Sequence, residues 1–176
     1  CPDAQVNILV GCLFANYPPV AALAAAEPEG IETIVKPCGL GHSKARDISA
    51  CMRMLRDKYA CQVPTTFEEL LALPGVGRKS ANLIMGDVFG KPAIVTDTHC
   101  IRLCNKIGLV DGIKEPQKVE MALWKIIPPE EGSDLCHRFV MHGRAVCNAR
   151  KPECEKCCLK DICRFARETA GQSAEL

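Results

Sequence analysis

Four cysteines near the C-terminus constrain the fold of this chain more than any other feature. Their spacing is C-x6-C-x2-C-x5-C, formed by Cys147, Cys154, Cys157 and Cys163. Thiolates are soft ligands, which suit zinc ions or iron–sulfur clusters. Zinc sites usually combine two closely spaced pairs, whereas this stretch has one such pair between two longer arms. Because the corners of a cubane lie farther apart than the ligands of one ion, the spacing favours a [4Fe–4S] cluster, with zinc as the alternative.

The first arm of this cysteine motif carries two cations, Arg150 and Lys151. A loop that ligands hold at both ends presents its charges in a fixed position, which suits contact with phosphate groups. The alternative for this stretch is a solvated pair without a binding role. Since the formal net charge of the whole chain is only +1, any nucleic-acid contact must come from such local patches.

Cysteine usage outside the motif indicates free thiols. The chain has 13 cysteines among 176 residues, an odd total, and the sequence pattern is helical. We therefore expect the scattered cysteines to be buried as small apolar side chains, in a reducing cytoplasm, rather than paired in a disulfide framework. Because the first residue is Cys1 rather than methionine, we also expect the chain to lack its natural start.

Hydrophobic periodicity predicts an all-α fold with two domains. Between Ser43 and Tyr59, apolar residues recur every three or four positions, and most other segments share this helical period. The one β-like run, at 93–97, is too isolated to form a sheet. No apolar run reaches the ~20 residues of a membrane-spanning helix, so we expect no membrane partner. The predicted domains are residues 1–91 and 92–176.

Residues 73–77 read LPGVG and form a predicted hairpin between two helices. Thr65 and Glu68 have the capping-box spacing that starts the first helix. Glycines allow a tight reversal and a close approach to a ligand, and the N–H groups at a helix start attract anions. Such a hairpin binds phosphate without reading base sequence. The candidate phosphate-binding residues are Gly75, Val76, Gly77 and Arg78.

Lys79 lies in the first turn of the second predicted helix. The positive end of the helix dipole disfavours an ammonium there, which favours the free amine that a Schiff-base nucleophile needs. An ordinary phosphate-contacting lysine is the alternative. Asp97 follows eighteen positions later in VTDTHC, where it is an expected helix N-cap. A carboxylate near Lys79 could also take its proton or stabilise cationic intermediates.

Three motifs in one order carry a family resemblance. LPGVGRKSAN, then VTDTH, then HGRAVC with the cysteine spacing resemble the endonuclease III family, which are bifunctional DNA glycosylase/AP lyases of the helix-hairpin-helix-GPD superfamily. The resemblance covers nearly the whole chain. It implies a helical-barrel domain bearing the hairpin and a second domain holding a [4Fe–4S] cluster, with DNA across the cleft.

The resemblance also implies a reaction and its residues. Lys79 is expected to attack C1′ of a damaged nucleotide, displace an oxidised pyrimidine and nick the strand by β-elimination, assisted by Asp97. Leu40 is expected to fill the space left by the flipped base, although it could simply anchor its loop. The expected partner is double-stranded DNA with a damaged pyrimidine or an abasic site, bound by a cytoplasmic, nucleoid-associated monomer.

Two departures keep other functions open. The family's N-terminal helix and its L-S-x-Q segment are missing before Cys1, which puts lesion recognition in question. The alternative function is therefore that of a non-catalytic, structure-selective DNA-binding module. The adenine-mismatch glycosylase branch shares the hairpin and the cysteine spacing, but lacks a lysine at the position of Lys79.

Overall fold

The computed structural model describes residues 3–173, so Cys1 lies outside the described residues. Within this range the chain is helical and contains no β-strand, which confirms the predicted all-α class. No helix of the described residues is long and apolar enough to cross a membrane. The chain divides into two compact units, Cys1–Gly77 and Arg78–Leu176. The division into domains 1–91 and 92–176 stays a prediction.

The first unit is a cluster of helices built around α4. Its α-helices are α1 (Asp3–Asn16), α2 (Val20–Ala25), α3 (Pro28–Val35), α4 (Gly41–Tyr59) and α5 (Phe67–Ala72), with a 3-10 turn at Lys36–Cys38. α4 packs against α2 and α3. Leu23, Ile31 and Ala45 are almost fully buried at this junction. The helical period of α4 thus buries one face and leaves the other to solvent.

The start of α5 differs from the sequence prediction. The N-cap is Thr66, whose Oγ1 accepts a hydrogen bond from the backbone N–H of Glu69 at 3.4 Å. The predicted capping box at Thr65 and Glu68 is therefore wrong by one residue. Both pairs have the same spacing, and only the extended backbone of Thr66 selects the register.

The second unit packs its helices around α7. Its helices are α6 (Arg78–Leu83) with a π-helical continuation at Ile84–Val88, α7 (Thr98–Ile107), α8 (Pro116–Leu123), α9 (Gly132–Ala145) and α10 (Arg164–Ser173), with 3-10 turns at Pro129–Glu131 and Cys154–Lys156. Leu103, Val119 and Leu123 are fully buried in its core. The β-like run at 93–97 is an extended segment whose first four residues are buried.

Scattered cysteines contribute to this core as free thiols. Cys100, Cys104 and Cys136 are buried, and no disulfide links the cysteines of the described range. A hydrogen bond with Cys104, together with burial, holds the pKa of Cys100 well above its usual range, so this thiol stays protonated. Cys12 is exposed, so the expectation of burial is wrong for that residue, which lies on the solvent side of α1.

Candidate active site and cysteine pocket

Lys79 is the second residue of α6, as the sequence predicted. Its side chain is exposed. None of the described residues forms an ion pair or a hydrogen bond with its ammonium group. A lysine at the start of a helix faces the positive end of the helix dipole, and here no carboxylate offsets that effect by direct contact. The amine is therefore available to a ligand.

Asp97 lies in the same unit and is the N-cap of α7. Its Oδ1 accepts a hydrogen bond of 2.7 Å from the backbone N–H of Cys100. Oδ2 has no hydrogen-bond partner within residues 3–173. The half-buried carboxylate is thus fixed by one oxygen and keeps the other for proton transfer or for a cation.

Arg78 has a partner that its sequence neighbours do not reveal. Its Nε and Nη2 donate to the two carboxylate oxygens of Glu120 on α8, at 2.9 and 2.6 Å. The Glu120 side chain is 3% exposed and the Arg78 side chain 33%. This bidentate hydrogen bond raises the pKa of Arg78 further. The predicted phosphate contact of Arg78 therefore competes with an ion pair inside the unit.

The two glycines of the hairpin differ in their roles. Gly75 has φ +76°, and a Cβ at this position would lie 2.9 Å from Cβ of Asp47. Both the backbone angle and the contact with α4 therefore require glycine. A Cβ on Gly77 would meet no atom within 4 Å, so this glycine leaves open space beside the backbone. Val76 completes the turn through a 3.1 Å hydrogen bond from its N–H to the carbonyl of Leu73.

Leu40 combines two unusual properties. Its backbone is left-handed, with φ 53° and ψ 36°, at the start of α4. Its side chain is also 81% exposed, the most among the exposed large apolar residues of the described chain. A left-handed backbone costs a non-glycine residue free energy, and strain of this kind clusters at functional sites. The loop therefore presents an apolar tip to solvent.

The four motif cysteines line one pocket of the second unit. The unfilled space there amounts to about 380 Å³, including the part that opens to solvent. The remaining lining is largely apolar and includes Leu103, Ile107, Val146, Leu159, Phe165 and Ala166. Among the described residues, no three His, Cys, Asp or Glu side chains are placed to hold a single metal ion. The thiols thus share a cavity without converging on one point.

Residues other than the four cysteines complete this pocket. His142, the first residue of HGRAVC, has its Nε2 3.4 Å from Sγ of Cys157. From α7, the Lys106 carbonyl lies 3.4 Å from Sγ of Cys163, and Arg102 donates to the carbonyl of Cys147 at 2.9 Å. Because Arg102 and Lys106 are far from the motif in sequence, the cysteine spacing alone could not find them.

Arg150 and Lys151 lie on a closed loop between the first two cysteines. The N–H of Glu153 donates to the carbonyl of Val146 at 3.0 Å, which holds the two ends of the loop together. Both cations are exposed, and neither has a partner in the described part of the chain. They are therefore available for an external anion.

Comparison with known proteins assigns the family. Residues 1–129 match the model of the HhH-GPD superfamily base excision DNA repair proteins. This chain is a member of that superfamily. It is also 40% identical over 165 residues to endonuclease III of Escherichia coli strain K12, and 39% identical over 163 residues to endonuclease III of Rickettsia conorii. Each match covers 93% of this chain and 77% of the relative.

Solved structures agree with the endonuclease III assignment. The chain superposes with a TM-score of 0.89, at 39% identity, on a trapped covalent endonuclease III–DNA intermediate, covering 97% of this chain and 80% of the other. A non-covalent endonuclease III–DNA complex matches equally well. A thermostable thymine-DNA glycosylase shares the fold, with a TM-score of 0.83 at 23% identity. The family resemblance, the enzyme class of DNA glycosylase/AP lyase and DNA as the partner are thereby confirmed.

In this endonuclease III relative, Glu120 is the functional candidate that sequence reasoning missed. A glutamate on a helix face looks like one more solvated charge. Its place between Val119 and Met121 was the one signal in the sequence, because an acidic residue within an apolar stretch needs a partner when it is buried. The identity of that partner, Arg78, depended on the tertiary structure.

Proposed function

We propose that this base-excision glycosylase removes oxidised pyrimidines from double-stranded DNA and then cleaves the strand through a Schiff base on Lys79. The single observation that carries the proposal is the Lys79 amine at the start of α6, which has no partner among the described residues. It lies in the same unit as Asp97, whose carboxylate uses only Oδ1 in a hydrogen bond within the described residues. Its similarity to a relative trapped as a covalent DNA intermediate supports a covalent route.

The proposed reaction begins when the neutral Nζ of Lys79 attacks C1′ of the damaged nucleotide. The C1′–N bond breaks, and the base leaves with the bonding electrons and takes up a proton. Opening of the sugar ring gives a protonated Schiff base, and loss of a proton from C2′ then expels the 3′ phosphate. Asp97 takes the lysine proton through its free Oδ2 and stabilises the cationic intermediates.

Access to C1′ requires the damaged nucleotide to leave the base stack. Flipping costs a few kcal/mol, and least for damaged pairs. We propose that Leu40 occupies the vacated space, because its apolar side chain is already exposed at a loop tip. The backbone of Gly75 to Gly77 and the cations Arg150 and Lys151 would each contact phosphate groups of the bound DNA.

We further propose that Cys147, Cys154, Cys157 and Cys163 hold a [4Fe–4S] cluster. The donor set fits, because four soft thiols share a mostly apolar pocket. The spacing of one close cysteine pair between two longer arms favours the cluster over a zinc ion. When bound, such a cluster would hold the ends of the loop that carries Arg150 and Lys151, which fixes these cations for phosphate contact.

Borohydride trapping tests the proposal. Incubation with a duplex containing thymine glycol should give a covalent protein–DNA adduct, and Lys79→Gln should abolish this adduct while DNA binding persists. Lys114→Gln is the matched control, since Lys114 is another exposed lysine of the same unit without a partner among the described residues.

Other outcomes would identify the alternatives. Binding of an abasic duplex without an adduct or a cleaved strand would point to a non-catalytic DNA-binding module. Activity on adenine opposite an oxidised guanine, with none on thymine glycol, would point to the adenine-mismatch branch. An adduct that persists in Lys79→Gln would refute Lys79 as the nucleophile.

A further inference from the structure

The Arg78–Glu120 ion pair joins the start of α6 to a helix 42 residues away in sequence. Both carboxylate oxygens of Glu120 accept from one guanidinium, at 2.6 and 2.9 Å. Two parallel hydrogen bonds fix the angle between the groups as well as their distance. Because the carboxylate is 3% exposed, solvent provides no substitute partner for it. The pair is therefore a rigid connection rather than a surface contact.

The Arg78–Glu120 ion pair also affects the orientation of Lys79, the next residue in the chain. Successive side chains on a helix point about 100° apart, so Arg78 and Lys79 leave the first turn in different directions. Holding the guanidinium of Arg78 fixes the rotation of that turn about its axis. The direction in which Lys79 projects is thereby fixed as well.

The turn that carries Lys79 belongs to a short helix. α6 has six α-helical residues before the π-helical segment at Ile84–Val88. The first N–H groups of any helix lack partners inside the helix. The residue directly before the turn is Gly77, and glycine has more backbone freedom than any other residue.

We infer that Glu120 is a positioning residue, which acts through Arg78 to orient the Lys79 amine for attack on the sugar. This inference rests on the proposed function in which Lys79 is the nucleophile. It also assigns Arg78 to the ion pair with Glu120 rather than to a DNA phosphate. Small misplacements of a reacting group reduce rates strongly, so the effect should appear in the chemical step.

The first experiment measures single-turnover adduct formation at saturating abasic DNA with borohydride. Glu120→Gln should lower this rate about 10- to 100-fold, while the Kd for a non-cleavable abasic analogue stays at the wild-type value. This substitution keeps the shape and one acceptor, so it perturbs folding less than truncation does. Arg78→Lys, which keeps the charge but loses the planar fork, should give an intermediate rate.

Combined variants separate positioning from a general structural effect. Arg78→Gln with Glu120→Gln should be no slower than the slower single variant, because both remove the same connection. Asp111→Asn is the control, since Asp111 pairs with Arg164 at 2.9 Å in the same unit but is 90% exposed. It should retain the wild-type rate.

The salt dependence of DNA binding tests whether Arg78 contacts a phosphate group. Arg78→Gln should leave the slope of log K against log salt concentration unchanged. A loss of about 0.9 from that slope would show a phosphate contact and overturn the inference. A wild-type rate of adduct formation in Glu120→Gln would also overturn the inference. The proposed function would still stand in that case, because the adduct on Lys79 would still form. If the wild-type protein formed no adduct, the proposed function itself would fail.

Discussion

Replacement of Leu40 by glycine should separate stability from activity. A left-handed backbone costs an L-residue about 1–2 kcal/mol, which glycine avoids at the observed φ of 53°. Since Leu40 is 81% exposed, its buried fifth contributes roughly 0.3–0.6 kcal/mol. Glycine also destabilises the folded protein by about 0.4–1 kcal/mol, because it increases the conformational entropy of the unfolded chain. The balance lies between about 0.6 kcal/mol of destabilisation and 1.3 kcal/mol of stabilisation.

Activity should change far more than stability. If Leu40 fills the space left by a flipped nucleotide, its side chain becomes buried in the complex, which is worth roughly 1.5–3 kcal/mol. Loss of that contact corresponds to about a 10- to 150-fold lower rate of base release. The assays are thermal unfolding, in which Tm should shift by at most a few degrees, and single-turnover release of thymine glycol.

Ala60→Gly is the matched control for the effect of the left-handed backbone on stability. Ala60 has φ 49° at the end of α4, so the same relief of strain applies without loss of an apolar tip. It should stabilise the protein by up to about 1.5 kcal/mol and leave base release unchanged. A strongly lowered Tm with normal base release in Leu40→Gly would refute the reasoning, because Leu40 would then anchor its loop.

Three further predictions concern the two sites. Asp97→Asn should keep the helix cap, and hence Tm, but lower strand cleavage by about 10²- to 10⁴-fold; normal cleavage would exclude Asp97 from the reaction. Cys157→Ser should lose iron and visible absorbance while Cys158→Ser, at an exposed neighbouring position, retains both; retention in each would place the cluster elsewhere. Arg150→Gln and Lys151→Gln should each reduce the salt dependence of DNA binding by about 0.9 in slope, and an unchanged slope would show that neither contacts phosphate.

Local patterns were enough for most of the fold class. The helical period predicted α4 from Ser43, two residues after its observed start, and both descriptions end it at Tyr59. Asp97 was correctly predicted as a helix N-cap, because a short acidic side chain before a helical run is a local signal. The helix predicted after Arg78 changes to π-helical geometry at Ile84, which no local signal indicated. Within this segment Gly86 packs closely against Ala93 and Ser133, and a Cβ at Gly86 would lie 3.3 Å from Cβ of Ala93.

Neighbouring residues in the chain were enough to predict the local features of the two candidate sites. The cysteine spacing, the glycine hairpin, the lysine at a helix start and the aspartate cap are local patterns, and local backbone geometry follows from neighbouring residues. The long-range partners of these groups depend on how the helices pack. Glu120 pairs with Arg78, 42 residues away, because a buried carboxylate needs a hydrogen-bonding partner. Such pairings depend on how the helices pack, and neighbouring residues in the chain do not encode them.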